Sequence, residues 1–201
     1  MKKGLLITLG IIAFIIVVVL SIVGWGVGAY NRFVGLNEGV NQAWSQVENQ
    51  YQRRYDLIPN LVSTVKGVAN FEKETYTAVT EARAKVGQVK LSPEQLADPQ
   101  AFQKFQQAQD GLSSALSRLL VVSENYPQLK ANENFLQLQA QLEGTENRIS
   151  VERMKFNQIV QDYNTQTKKF PAAIIAGMTG FKEKQYFKAA IGAEQAPKVQ
   201  F

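Results

Sequence analysis

Arg53, Arg54 and Asp56 form one tight group of opposite charges, and Glu143, Glu146 and Arg148, with Glu152 beyond them, form another far downstream. On neighbouring helices such groups make buried or half-buried ion pairs, which fix register more reliably than they add stability. The sharper chemistry would be paired carboxylates working as acid and base beside an arginine clamp. Composition weighs against it. The chain has no His and no Cys, which removes imidazole acid/base work, thiolate nucleophiles, Ser-His-Asp triads, Cys/His zinc sites and disulfides. A di-metal site in a helical bundle wants Glu-x-x-His on two helices, and Glu143-x-x-Glu146 offers carboxylates alone. The expectation is a structural ion-pair cluster, with no catalytic residue, no metal and no cofactor.

Net charge points to no polyanion either. The 201 residues carry 22 Lys+Arg against 17 Asp+Glu, a balance of +5. That excess is terminal. Lys2 and Lys3 flank the uncharged stretch 4–31, and six lysines against two acids occupy 168–201, while 32–167 holds 14 basic and 15 acidic residues. A neutral body has no basic groove for nucleic acid, and none is expected as a partner.

The elements that must position these residues follow from hydropathy. The stretch LLITLGIIAFIIVVVLSIVGWGVGAY exceeds the ~20 residues a helix needs to cross a ~30 Å hydrocarbon core and the roughly 7 to 15 of a cleaved signal. It predicts a membrane anchor over 1–30, with Trp25 and Tyr30 at the distal headgroup level. Gly24-x-x-x-Gly28 within it is a weak signal for close helix packing. With Lys2 and Lys3 on the short side, positive-inside places the N-terminus in the cytoplasm and exports the rest.

Beyond the anchor, Val40, Trp44, Val47, Tyr51, Tyr55, Ile58, Val62 and Val65 step by three and four, and the pattern continues through Tyr76, Val79 and Val86. One helix over about 31–90 is expected, kinked at Pro59 because the stripe keeps its phase across the proline. Helices over 99–126 and 129–169 follow, with Ser92 and Asp98 as N-cap candidates and Gln109 and Ser123 as polar interruptions of the second stripe. No segment alternates with period two. The predicted fold class is all-α: the transmembrane helix continues into a long antiparallel three- or four-helix bundle over 31–170, a coiled-coil-like rod reaching roughly 90 Å. Residues 171–201 form a basic, apolar tail, in which Ile174, Ile175, Met178, Phe181, Lys182, Lys184, Phe187 and Lys188 are the candidates for assembly or membrane contact, unless the tail packs on its own bundle.

The run YNRFVGLNEGVNQAWSQVENQYQRRYDLIPNLVSTVKGVANFEKETYTAVTEAR, the later YPQLKANENFLQLQAQLEGTENRISVERMKFNQIVQDYNTQTKKFP, and the closing GFKEKQYFKAA and PKVQF resemble the bacterial LemA family. RR-x-DLIPNLV and EGTENRI are the specific strings, and the likeness covers nearly the full length. It implies a single-pass, mostly helical bacterial membrane protein, of scaffold or envelope-stress type, sometimes linked to membrane metalloproteases or membrane remodelling. Descriptions of the family sometimes place the large domain in the cytoplasm, whereas the flanking charges favour the periplasmic side of the inner membrane. The expected function is a non-enzymatic scaffold that self-associates at the lipid bilayer as a homo-oligomer. An adaptor or regulator of a membrane protease or other membrane-protein partner is the alternative.

Overall fold

The computed structural model describes residues 2–68 and 71–188, so the end of the predicted tail, 189–201, lies outside the described residues. Helix α1 runs unbroken over Lys2–Lys66, about 98 Å at 1.5 Å per residue. Every large apolar side chain described over residues 6–27 is exposed, and with a mean hydropathy of 3.2 over its most apolar 18 residues the helix is long and apolar enough to cross a membrane. Phe33, Val40, Trp44 and Val47 then turn inward and start the core of the domain.

Pro59 does sit inside α1. Having no N–H, it cannot bond the Tyr55 carbonyl one turn earlier, and the side chain of Arg83 supplies the missing donor, Nε to Tyr55 O at 3.2 Å. The helix predicted over 31–90 is nevertheless two helices. α1 stops at Lys66, where Gly67 N–H bonds back to Ser63 and Thr64 carbonyls, and α2 (Lys73–Gln88) starts after Phe71 has folded into the core. A glycine outweighs the apolar phase here because the turn returns Phe71 and Val79 to the same cluster as Val62 and Val65. Beyond residue 30, α1 is therefore about 54 Å long rather than the expected 90 Å.

A 3₁₀ turn (Pro93–Ala97) leads into α3 (Pro99–Ser123), whose N-cap Asp98 accepts from the N–H groups of Gln100 and Ala101 at 2.9 and 3.2 Å. The short α4 (Pro127–Lys130) precedes α5 (Glu133–Lys168), capped by Asn132. Finally α6 (Ala172–Thr179) ends on Gly180, whose φ of +81° is a left-handed conformation that favours glycine. Among the described residues there is no strand.

The two apolar clusters define the topology. Ile58, Val65, Val79, Leu112, Leu119, Phe135 and Leu142 make the cluster at the far end, where α1, α2, α3 and α5 run up, down, up and down. Nearer the exposed segment, Trp44, Tyr51, Phe102, Phe105, Phe156 and Tyr163 come from α1, α3 and α5. α2 is too short to reach there. Its place is taken by Leu91 and Leu96 from the connection before α3 and by Phe187 from the tail.

Candidate functional site

Between the two clusters lies a layer of polar side chains. Arg54 is only 1% exposed; it donates to the Glu146 carboxylate, to Ser113 Oγ at 2.6 Å and to Gln109 Oε1 at 2.6 Å. One guanidinium thus ties α1 to α3 and α5, and Gln109, an interruption of the α3 stripe, is its acceptor. The rest of the expected cluster does not assemble. Asp56 accepts from Gln52 and Glu143 from Gln139, each within its own helix, and Arg53 and Arg148 are exposed. Two charges separated by a turn or less on a helix can point to different faces, and only Arg54 and Glu146 point at each other.

A second arginine, which sequence reasoning missed, lies beside this layer. Arg153 donates from Nε to the Tyr51 hydroxyl and from Nη2 to Asp110 Oδ1 at 3.1 Å, while its guanidinium carbon stands 4.8 Å from the Phe187 ring centroid. Burial pushes the Tyr51 hydroxyl up to about 12, against the opposing pull of the Arg153 charge. It is a neutral structural group at any ordinary pH.

The tail is the second constructed feature. Residues 181–188 run extended along the bundle, held by three side-chain amides that each both donate to and accept from a tail residue's backbone. Asn164 takes Lys184 in both directions at 2.9 Å, Asn157 takes Phe187 at 2.9 Å, and Gln106 takes Lys188 at 2.8 and 3.3 Å. Gln185 N–H bonds to Leu96 O, and the Tyr163 hydroxyl donates to Lys182 O. Phe187 lies 6.2 Å from Trp44 in a stacked pair and 4.9 Å from Phe102. Lys184 is buried, and desolvation lowers its pKa while Glu94 opposes the shift. Of the residues expected to serve assembly or membrane contact, Phe187 and Lys184 therefore belong to the chain's own core. Lys188 is clipped at its backbone. Phe181 packs on Tyr30 and Phe33, with ring centroids 5.8 and 5.5 Å away.

Ile174 and Met178 remain exposed on α6, and Lys182 is exposed just after it. α6 itself rests on α1: Ile175 Cδ1 lies 3.6 Å from where a methyl on Gly26 would stand. The contact is thus at Gly26, an ordinary van der Waals one, while Gly24 and Gly28 have no neighbour that close among the described residues.

The LemA family model matches residues 43–201. Magnetosome protein MamQ 1 of Paramagnetospirillum magneticum is 29% identical over 175 residues, covering 79% of this chain and 64% of that protein. Magnetosome protein MamQ of Magnetospirillum gryphiswaldense is 29% identical over 174 residues with the same coverages. Protein LemA of Metamycoplasma hominis is 23% identical over 167 residues, 82% of this chain and 71% of that protein. The chain spans 64% of the length of the magnetosome relatives.

Proposed function

The chain belongs to the LemA family, and from that premise we propose that it is a non-enzymatic scaffold anchored in the bacterial inner membrane by the apolar end of α1, with its bundle on the periplasmic side. The observation that carries this reading is the continuity of α1. The same helix that exposes Leu6, Ile15 and Val23 contributes Trp44 and Ile58 to the core, with no linker between. A tethered catalytic domain does not need that rigidity, whereas a part whose work is to hold an orientation does. Arg54, Glu146 and Arg153 are engaged in joining helices, which supports a structural rather than a catalytic use of these charges.

Self-association completes the reading. Parallel anchors hold bundles side by side and raise their effective concentration, and α5 exposes Leu136, Val151 and Met154 on its outer side. Cross-linking of the full chain in lipid nanodiscs of several sizes, with native mass measurement after detergent extraction, is the test. Discrete oligomers are expected, and a monodisperse monomer at every concentration would overturn the proposal. A Val121→Cys variant, otherwise free of cysteine, reports sidedness: labelling of intact cells by a membrane-impermeant maleimide after outer-membrane permeabilisation is expected.

A further inference from the structure

The strip of apolar side chains on and before α6 has no partner among the described residues. Phe170, in the turn before the helix, is 85% exposed, Ile174 55% and Met178 80%, and the four-residue spacing of Ile174 and Met178 places those two on one side of α6. α6 carries no charged residue. Its opposite side is fixed: Ala176 is buried, Ile175 sits over Gly26, and the following Phe181 lies on Tyr30 and Phe33. A salt bridge of 2.6 Å between Lys168 and Glu183 closes the loop that carries α6. The height of α6 along α1 is therefore set at residues 26–33, the end of the apolar run, where Trp25 and Tyr30 also present exposed rings.

Resting on the reading of α1 as a membrane span, we propose that α6 is a second point of membrane insertion: it lies in the leaflet from which α1 emerges, with Phe170, Ile174 and Met178 among the upper acyl chains and Lys169 and Lys182 at the lipid phosphates. The occupant of this strip is lipid rather than a second copy, because continuity with the exposed surface of α1 puts it at the depth where lipid is the solvent. The exposed lysines at both ends match an anionic headgroup layer. Two attachment points fix the rotation and tilt of the bundle, which a single helix leaves free.

The absence of cysteine makes the test direct. Single-cysteine variants of the full chain, Met178→Cys, Ile174→Cys, Val121→Cys and Ile15→Cys, are labelled with an environment-sensitive nitrobenzoxadiazole dye and reconstituted in phosphatidylcholine/phosphatidylglycerol vesicles. Each is quenched by lipids spin-labelled at a shallow acyl carbon or by aqueous iodide. All four positions are exposed in the fold, so labelling leaves the core intact. Labels at Met178 and Ile174 are expected to emit at shorter wavelength than the label at Val121, and to lose severalfold more intensity to lipid than to iodide. Iodide quenching equal to that at Val121 would overturn the proposal. Protection from both quenchers would overturn it too, in favour of a protein neighbour. A lipid-quenched label at Ile15 beside water-exposed labels on α6 defeats this inference alone, whereas an Ile15 label that lipid does not reach defeats the spanning reading and this inference with it.

Discussion

Replacing Asn164 by Asp changes one NH₂ group to an oxygen and little else, and its cost follows from the hydrogen bonds of the tail. In the native chain Asn164 accepts from Lys184 N–H and donates to Lys184 C=O, each at 2.9 Å, in a buried setting. The carboxylate of Asn164→Asp keeps the first bond and sets an acceptor against an acceptor in place of the second. A buried carbonyl left without its donor costs about 1–3 kcal/mol, and desolvating the new charge adds to that, partly offset by the neighbouring Lys184 ammonium. Tyr163 is the other titratable group at hand; burial raises it to about 12, so it stays neutral. A net penalty of about 2–3 kcal/mol at pH 7 raises the opening equilibrium of the tail on the order of 30- to 150-fold. Because the protonated carboxyl restores the donor, the folded state holds the introduced group above its usual value of about 3.9. The penalty is therefore absent below about pH 4, where both states are protonated. It grows as pH rises from there through the raised folded value, and then levels off. Protection factors of the Lys184 and Phe187 amides in the full chain in micelles read this directly. Trp44 emission in a Trp25→Phe background gives a second signal, since Trp44 stacks on Phe187. Native protection at pH 7, or stability that increases with pH, would refute the reasoning.

Removing Glu146 as Glu146→Ala leaves the buried Arg54 without its counter-charge and should cost about 3 kcal/mol in urea unfolding; a loss below about 1 kcal/mol would show that Gln109 and Ser113 suffice. Arg83→Met should cost about 1 kcal/mol by orphaning the Tyr55 carbonyl, and much less in a Pro59→Ala background, where a helical N–H replaces the donor. A double-mutant cycle with no coupling would reject this role of Arg83. Tyr51 should stay protonated until about pH 12, against about 10 when unfolded. Its contribution is whole below pH 10 and is lost as pH rises from about 10 to 12, which ultraviolet phenolate titration checks beside Tyr51→Phe.

The legible parts of this fold were those written as periodicity. The apolar stretch, the α3 stripe from Phe102 to Leu119, and the capping of α3 by Asp98 follow from local spacing and from a side chain reaching its own backbone. The break at Gly67 was not legible, because the residues on both sides return to one cluster and so keep a common phase. Arg54 with Glu146 was foreseeable as a pair, since opposite charges interrupted apolar faces on both helices. Arg83 was half announced: Pro59 requires a donor for Tyr55, but which helix provides it depends on tertiary register. Asn157 and Asn164 read as ordinary solvated-face amides. Their seven-residue spacing beside Phe156 and Tyr163 was the signal that they face inward, toward a backbone segment that no local pattern identifies.

The stacking of Phe187 on Trp44 also orders events in time. Trp44 leaves the ribosome with the first helix, yet the ring that covers it arrives only with the tail, after α2, α3 and α5 have been made. Until then the inner cluster is a three-sided shell with an open wall. If the apolar end of α1 has by that stage entered the bilayer, the domain must close on residues 181–188 while already tethered. Emergence of Phe187, rather than formation of any single helix, is then the moment at which the core becomes dry.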